Sequence, residues 1–231
     1  MLHCPVVKRL VIAVDGPSGA GKGTVARAAA RALGYRHVDT GAMYRAVAWE
    51  AMRRQLRLDA HDAHDEAARL AAEAAIDMDE GRIRINGHDV TADIRTPDID
   101  KASAVVARIP KVRDVLVDLQ RVIGRDGGVV MEGRDIGTVV FPSADVKIYL
   151  DASPEERARR RATDAAHTGG RQVDVAHVAE DLAARDKSDA TRSVAPLARA
   201  ADAVYIDTTG MPVADVVARV LALVHEKAGN A

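Results

Sequence analysis

Cysteine is nearly absent: Cys4 is the only one in 231 residues. A lone thiol forms no intrachain disulfide, so the fold does not depend on oxidation and a reducing, cytoplasmic setting is expected. Aromatic residues are scarce too, with one Trp, one Phe and four Tyr. Proteins that bind single strands stack bases on aromatic platforms, and with a net charge of -1 there is no bulk attraction for a polyanion. Long hydrophobic runs are missing. The first, 10–14, follows Lys8 and Arg9 but is too short for a signal-peptide core, and none approaches membrane-spanning length. A soluble, unexported protein with neither nucleic acid nor membrane as partner is expected. Lysine is under-used as well, with only 7 of the 33 basic residues against 26 Arg. Arginine's planar fork suits phosphate, but an Ala- and Arg-rich chain also follows from nucleotide bias, so the excess alone assigns no ligand.

What is present is a globular composition, 48% hydrophobic and 29% charged, at a length that suits one domain or a core with an insertion. Short apolar runs at 129–131, 146–150 and 204–206 read as buried parallel strands, and with strands at 10–14 and 36–38 they make five core strands. Helical periodicity fills 22–33, 42–55, 64–75, the stretch after Pro110, and 213–227. In the second of these helices Met43, Ala46, Val47 and Met52 can share a core face. Between 76 and 90 the texture changes to alternation broken by Glu80-Gly81 and Asn86-Gly87, the pattern of an antiparallel meander. The expected architecture is therefore α/β: a core over 1–59 and 108–231 with an inserted subdomain over 60–107. The segment 153–186 is charge-rich, broken at Thr168-Gly169-Gly170, and reads as a helical hairpin over the core.

The most informative stretch is Gly16-Pro17-Ser18-Gly19-Ala20-Gly21-Lys22-Gly23-Thr24. Its glycines and Lys22 have P-loop spacing between a strand and a helix, in a variant where Gly23 separates Lys22 from the hydroxyl residue. Backbone N–H groups and a helix N-terminus can cradle phosphates there, Lys22 adds a point charge, and Thr24 offers a hydroxyl to Mg²⁺ or phosphate. Asp39-Thr40-Gly41 with Tyr44-Arg45, and Glu132-Gly133-Arg134-Asp135, follow strands and so fall at the ligand-binding edge of the sheet. Arg185, Asp189 and Arg192 share one face if helical and follow a segment holding Arg157, Arg159, Arg160 and Arg161; taken alone, these charges read as a solvated face. Asp15, Glu132 and Asp151 are each placed to approach a Mg²⁺ ion. The eight histidines lack the spacing of a structural metal site, so no tightly bound metal is expected.

These segments, together with Gly133-Arg134-Asp135-Ile136-Gly137-Thr138-Val139-Val140-Phe141-Pro142 and Ala195-Pro196-Leu197, resemble the bacterial-type cytidylate kinases among the P-loop nucleoside monophosphate kinases. The resemblance implies a three-layer core with a five-stranded parallel sheet, a monophosphate-binding insertion and a helical lid. It implies transfer of the γ-phosphoryl group of MgATP to CMP or dCMP by a monomer, with Mg²⁺ arriving on ATP. By position, Gly16 through Thr24 and Arg160 would hold ATP, and Thr40 would line the CMP site. Arg45, Arg134 and Arg192 would hold the acceptor phosphate, Arg185 and Asp189 the ribose, and Arg113 and Asp135 the cytosine. Lys22, Arg134, Arg160 and Arg192 would carry the transfer. The family often has a base-contacting Ser where this chain has Ala104, with Ser103 one residue earlier.

Cytosine offers a donor at N4 and acceptors at N3 and O2, so an ionised Asp135 and Arg113 match it, while uracil reverses the polarity at N3 and position 4. A kinase of UMP, AMP or shikimate would share the P-loop but not this pair, and a nucleotide-dependent switch would need no acceptor at all.

Overall fold

The computed structural model describes residues 9–58, 60, 63–79, 81–164, 168 and 173–229. Cys4, Lys8, Glu80, Gly169 and Gly170, named above, lie outside the described residues. Five strands, β1 (Val11–Asp15), β2 (Arg36–Asp39), β6 (Val129–Gly133), β7 (Val146–Asp151) and β8 (Val204–Asp207), form one sheet in the order β2-β6-β1-β7-β8. Every pairing is parallel. The central strands are apolar on both faces because helices cover both. On one side α1 (Lys22–Leu33) and α8 (Val213–Gly229) bury Val25, Ala29, Val216 and Val220 against Ile12, Val14 and Ile148. On the other, Val38, Val129 and Met131 meet Val117 of α5 (Pro110–Gly124) and Ile136.

Local chemistry fixes the helix starts. The Asp39 carboxylate accepts from Ala42 N at 3.1 Å and opens α2 at Thr40 (Thr40–Arg53), two residues earlier than its periodicity suggested. Met43, Ala46 and Val47 are buried on α2 as expected, but Met52 is 42% exposed and is not a core residue. It lies on the side of the last turn that nothing covers, since Ala48 and Ala51 already take the core face.

The region 60–107 holds α3 (Ala63–Glu73), a three-stranded antiparallel sheet of β3 (Ile76–Asp79), β4 (Arg82–Ile85) and β5 (His88–Asp89), and α4 (Pro97–Val106). Asn86 and Gly87 both take positive φ, 51° and 81°, which is what a two-residue hairpin requires. Ile83, Ile85, Ile94 and Ile99 close on Ala42 and Ala46, so this unit rests on α2. Thr96 caps α4 through Ile99 N, with Pro97 in the first turn. The charged hairpin is α6 (Pro154–Thr163), capped by Ser153 with Glu156 in the capping-box position, and α7 (Val175–Thr191), capped by Asp174. α7 runs past the expected end at 186, which makes Arg185 and Asp189 helical neighbours and leaves Arg192 just beyond the last turn. No helix among the described residues is long and apolar enough to cross a membrane.

Candidate active site

β1 delivers the chain into the phosphate loop. Gly16 has φ 146° and no room for a side chain, since a Cβ would sit 1.9 Å from the Leu150 carbonyl oxygen of β7. Gly19 (φ 79°) is pressed in the same way against the Arg157 backbone of α6. Residues Ser18 through Thr24 then line a cavity of about 860 Å³, with Thr24 exposed at the start of α1. Gly16 and Pro17, expected among the ATP contacts, are off that wall: Gly16 packs on β7, and the Pro17 carbonyl accepts from Lys22 Nζ at 2.7 Å. Burial, and after it the charge of Arg134, lowers the Lys22 pKa to about 7.

The same cavity is lined opposite the loop by Thr40, Arg45, Arg113, Arg134, Asp135, Arg185, Asp189 and Arg192, with Arg160 near the loop itself. They arrive from α2, α5, the end of β6, α7 and the turn after α7, that is, from the carboxyl edge of the sheet and the elements over it. Arg160 is held by Glu156 Oε1 (2.8 Å) and by the Thr208 carbonyl (2.6 Å). Thr40 donates its hydroxyl to the Glu132 carbonyl at 2.7 Å. Arg134 Nε donates to Asp189 Oδ2 at 2.9 Å, and although burial raises the Asp189 pKa, the Arg134 and Arg185 charges bring it below the usual range. Arg113 is 2% exposed, pairs with Asp135, and lies 5.5 Å over the Tyr44 ring, whose phenol burial pushes up to about 12. Arg192 donates to the Ala195 carbonyl and stands 3.6 Å from Asp135 Oδ1. Ser103 and Ala104 both face the cavity, and the Ser103 hydroxyl donates to the Asp100 carbonyl at 2.9 Å.

Among the described residues Arg113 Nε and Arg185 Nε are buried without a hydrogen-bond partner, and Arg192 Nη2, also without a hydrogen bond, is ion-paired with Asp135 Oδ1 at 3.6 Å.

Among the three acids considered for Mg²⁺, only Glu132 is on the wall. Asp15 turns instead to the N–H groups of Ile136 and Gly137 (2.8 and 2.7 Å), which fix a π-helical turn over Ile136–Val140, and burial raises its pKa to about 6. Asp151 accepts from Ala152 N and Tyr205. Asp39 joins Glu132 on the wall, and Glu132 meets His37 Nε2 at 2.9 Å. Among the described residues no group of three His, Cys, Asp or Glu is set to hold a metal by itself.

The sequence offered no role for Asp100, and Arg157 and Arg161 read there only as part of a solvated face. Arg157 is buried, donates to the Ser18 and Ala152 carbonyls (3.1 and 3.2 Å) and pairs with Asp186, tying α6 to the phosphate loop. Arg161 shares the helix face of Arg157 and pairs with Asp100. The 157/161 spacing was the available signal; Asp100 had none, because its partners are 55, 61 and 85 positions away.

A phosphate loop at the end of the central strand of a parallel sheet, facing arginines across one cavity, defines a P-loop kinase. A family model described as cytidylate kinase matches residues 12–226. A cytidylate kinase of Pelotomaculum thermopropionicum is 50% identical over 218 residues, covering 92% of this chain and 95% of that protein. One from Desulfitobacterium hafniense is 47% identical over 223 residues, covering 95% and 94%. Among solved structures, an uncharacterised protein from Eubacterium ventriosum shares the fold at a TM-score of 0.50 and 11% identity, covering 93% of this chain and 97% of that one. The chain belongs to the cytidylate kinase family.

Proposed function

We propose that the protein transfers the γ-phosphoryl group of MgATP to CMP or dCMP, giving ADP and CDP or dCDP, as a cytoplasmic monomer. The observation that carries the reading is one cavity in which the phosphate loop shares its wall with Arg45, Arg113, Arg134, Asp135, Arg185, Asp189 and Arg192. An ionised oxygen of the acceptor phosphate forms the new bond to the γ phosphorus as the bond to the β–γ bridging oxygen breaks, and ADP leaves with that electron pair. No general base is required, because the nucleophile is already an anion. The obstacle is repulsion between two polyanions, and positioning plus electrostatic stabilisation is most of what such a transfer needs.

In this account Lys22 and Arg160 meet the ATP phosphates, and Arg45, Arg134 and Arg192 meet the acceptor phosphate. Arg185 and Asp189 take the ribose. Asp135 accepts from cytosine N4 while Arg113 donates to N3 or O2, which leaves uracil with mismatched polar groups. Mg²⁺ arriving with ATP would supply positive charge to the phosphate oxygens. Thr24, with Glu132 and Asp39 on the same wall, is suited to it by hydroxyl and carboxylate oxygens.

Arg134→Ala tests the assignment. Losing a charged donor aimed at the transferring group is expected to lower kcat/KM for CMP by about 100-fold or more while MgATP binding persists. Unchanged CMP kinetics would overturn the role given to Arg134.

A further inference from the structure

Asp100 does not form part of the cavity wall, yet three arginines that do are gathered on it. Its Oδ1 accepts from Arg45 Nε at 2.9 Å and lies 3.4 Å from Arg185 Nη1, while Oδ2 pairs with Arg161. Each partner stands on a different element: Arg45 on α2, Arg161 on α6 and Arg185 on α7, with Asp100 itself in the first turn of α4. The carboxylate is only 16% exposed, and its partners are comparably enclosed.

Charge explains why such a group is needed. Three guanidiniums drawn into one poorly solvated place repel one another. Burial, then the charges of Arg45 and Arg134, lowers the Arg185 pKa to about 10. A carboxylate among them offsets that repulsion. Burial would raise the Asp100 pKa, but the charges of Arg45, Arg185 and Arg161 hold it far below the usual range, so it stays ionised at any working pH. Arg45 reaches Asp100 through Nε, which leaves its two terminal nitrogens for an acceptor phosphate.

We propose that Asp100 is a positioning residue for phosphoryl transfer: one carboxylate behind the site that holds both lid helices, α6 and α7, to the acceptor side and keeps Arg45, Arg161 and Arg185 directed at the cavity. The proposal rests on the CMP kinase reading for its substrate and deepens it, since it assigns coupling between lid and acceptor site to a residue that touches neither substrate. It separates positioning from competition by sign. A carboxylate that merely occupied the acceptor-phosphate position would weaken CMP binding, and removing it would tighten that binding; a positioning carboxylate does the reverse.

The experiment compares wild type with Asp100→Asn, Asp100→Glu and Arg161→Gln. Readouts are kcat, KM for CMP and KM for MgATP, thermal melting, and hydrogen exchange of the ligand-free proteins. A lost charged hydrogen-bond set is expected to lower kcat/KM for CMP in Asp100→Asn by about 10- to 100-fold, with KM for MgATP within about twofold of wild type. Asp100→Glu should recover part of that loss. Arg161→Gln should show the same split and add little in an Asp100→Asn background. Amide exchange in α6 and α7 should quicken in Asp100→Asn more than in β1 and β6. An unchanged kcat/KM for CMP, or a lower KM for CMP with kcat unchanged, in Asp100→Asn would overturn the proposal. Equal changes in both KM values with a lower melting temperature and no rescue by Glu would also overturn it, leaving a purely structural residue. If wild type fails to phosphorylate CMP, the functional reading fails, while the exchange of α6 and α7 still decides whether Asp100 tethers the lid.

Discussion

Replacing Arg113 by Met removes a charge from one of the least accessible places in the site while keeping most of the side-chain volume. Arg113 is 2% exposed, and its partner Asp135 is nearly as deeply buried. Without Arg113 the Asp135 carboxylate retains, among the described residues, only the Arg192 ion pair, at 3.6 Å from Oδ1. Removing one member of a buried pair destabilises by roughly 3–5 kcal/mol, because the other charge is left without compensation. For a chain of this length each kcal/mol corresponds to about 2–4 °C, so the melting temperature should fall by roughly 6–20 °C, toward the lower end if Arg192 closes on Asp135. The double variant Arg113→Met/Asp135→Asn leaves no unpaired carboxylate and should melt above Arg113→Met alone. Thermal unfolding of nucleotide-free protein, followed by circular dichroism, reads both. A single variant melting within about 2 °C of wild type, or a double variant no more stable than the single, would refute the reasoning.

Two further outcomes follow from the phosphate loop. Because burial and Arg134 bring Lys22 down to about 7, the free site loses this charge as pH rises through 7, and bound polyphosphate restores it. MgATP binding at pH 8 should therefore take up close to one proton, and affinity should fall by up to about tenfold per pH unit above 7; calorimetry in buffers of different ionisation enthalpy measures this, and flat affinity with no uptake from pH 6.5 to 9 would contradict it. Arg157→Met removes the donors to the Ser18 and Ala152 carbonyls and the partner of Asp186. It should weaken MgATP binding by about tenfold, and an unchanged dissociation constant would remove Arg157 from the loop's support.

Strands β1, β6 and β7 were legible because central parallel strands covered on both faces are short apolar runs, and turns such as Asn86-Gly87 because their backbone demands particular residues. The residues around the cavity were legible only as far as motifs reach along the chain. Arg157 and Arg161 looked like a solvated face because α6 has few apolar residues, yet what it packs against is the Ser18 carbonyl and the carboxylates of Asp186 and Asp100. Asp100 sits among ordinary first-turn acids of α4, and nothing local marks it as the meeting point of arginines from three other helices. Met52 failed in the opposite sense. Its helical phase was compatible with the core, but the face it occupies is left uncovered by tertiary packing.

The central claim is that Arg113 and Asp135 read cytosine while the arginines on the same wall bring its phosphate to MgATP. It is tested most directly by ADP formation from MgATP with CMP, dCMP, UMP, AMP and shikimate offered separately, each against a control without acceptor. Fast turnover with CMP or dCMP and little with UMP is the expected result. Comparable rates with UMP, or no acceptor raising ADP above the control, would contradict it.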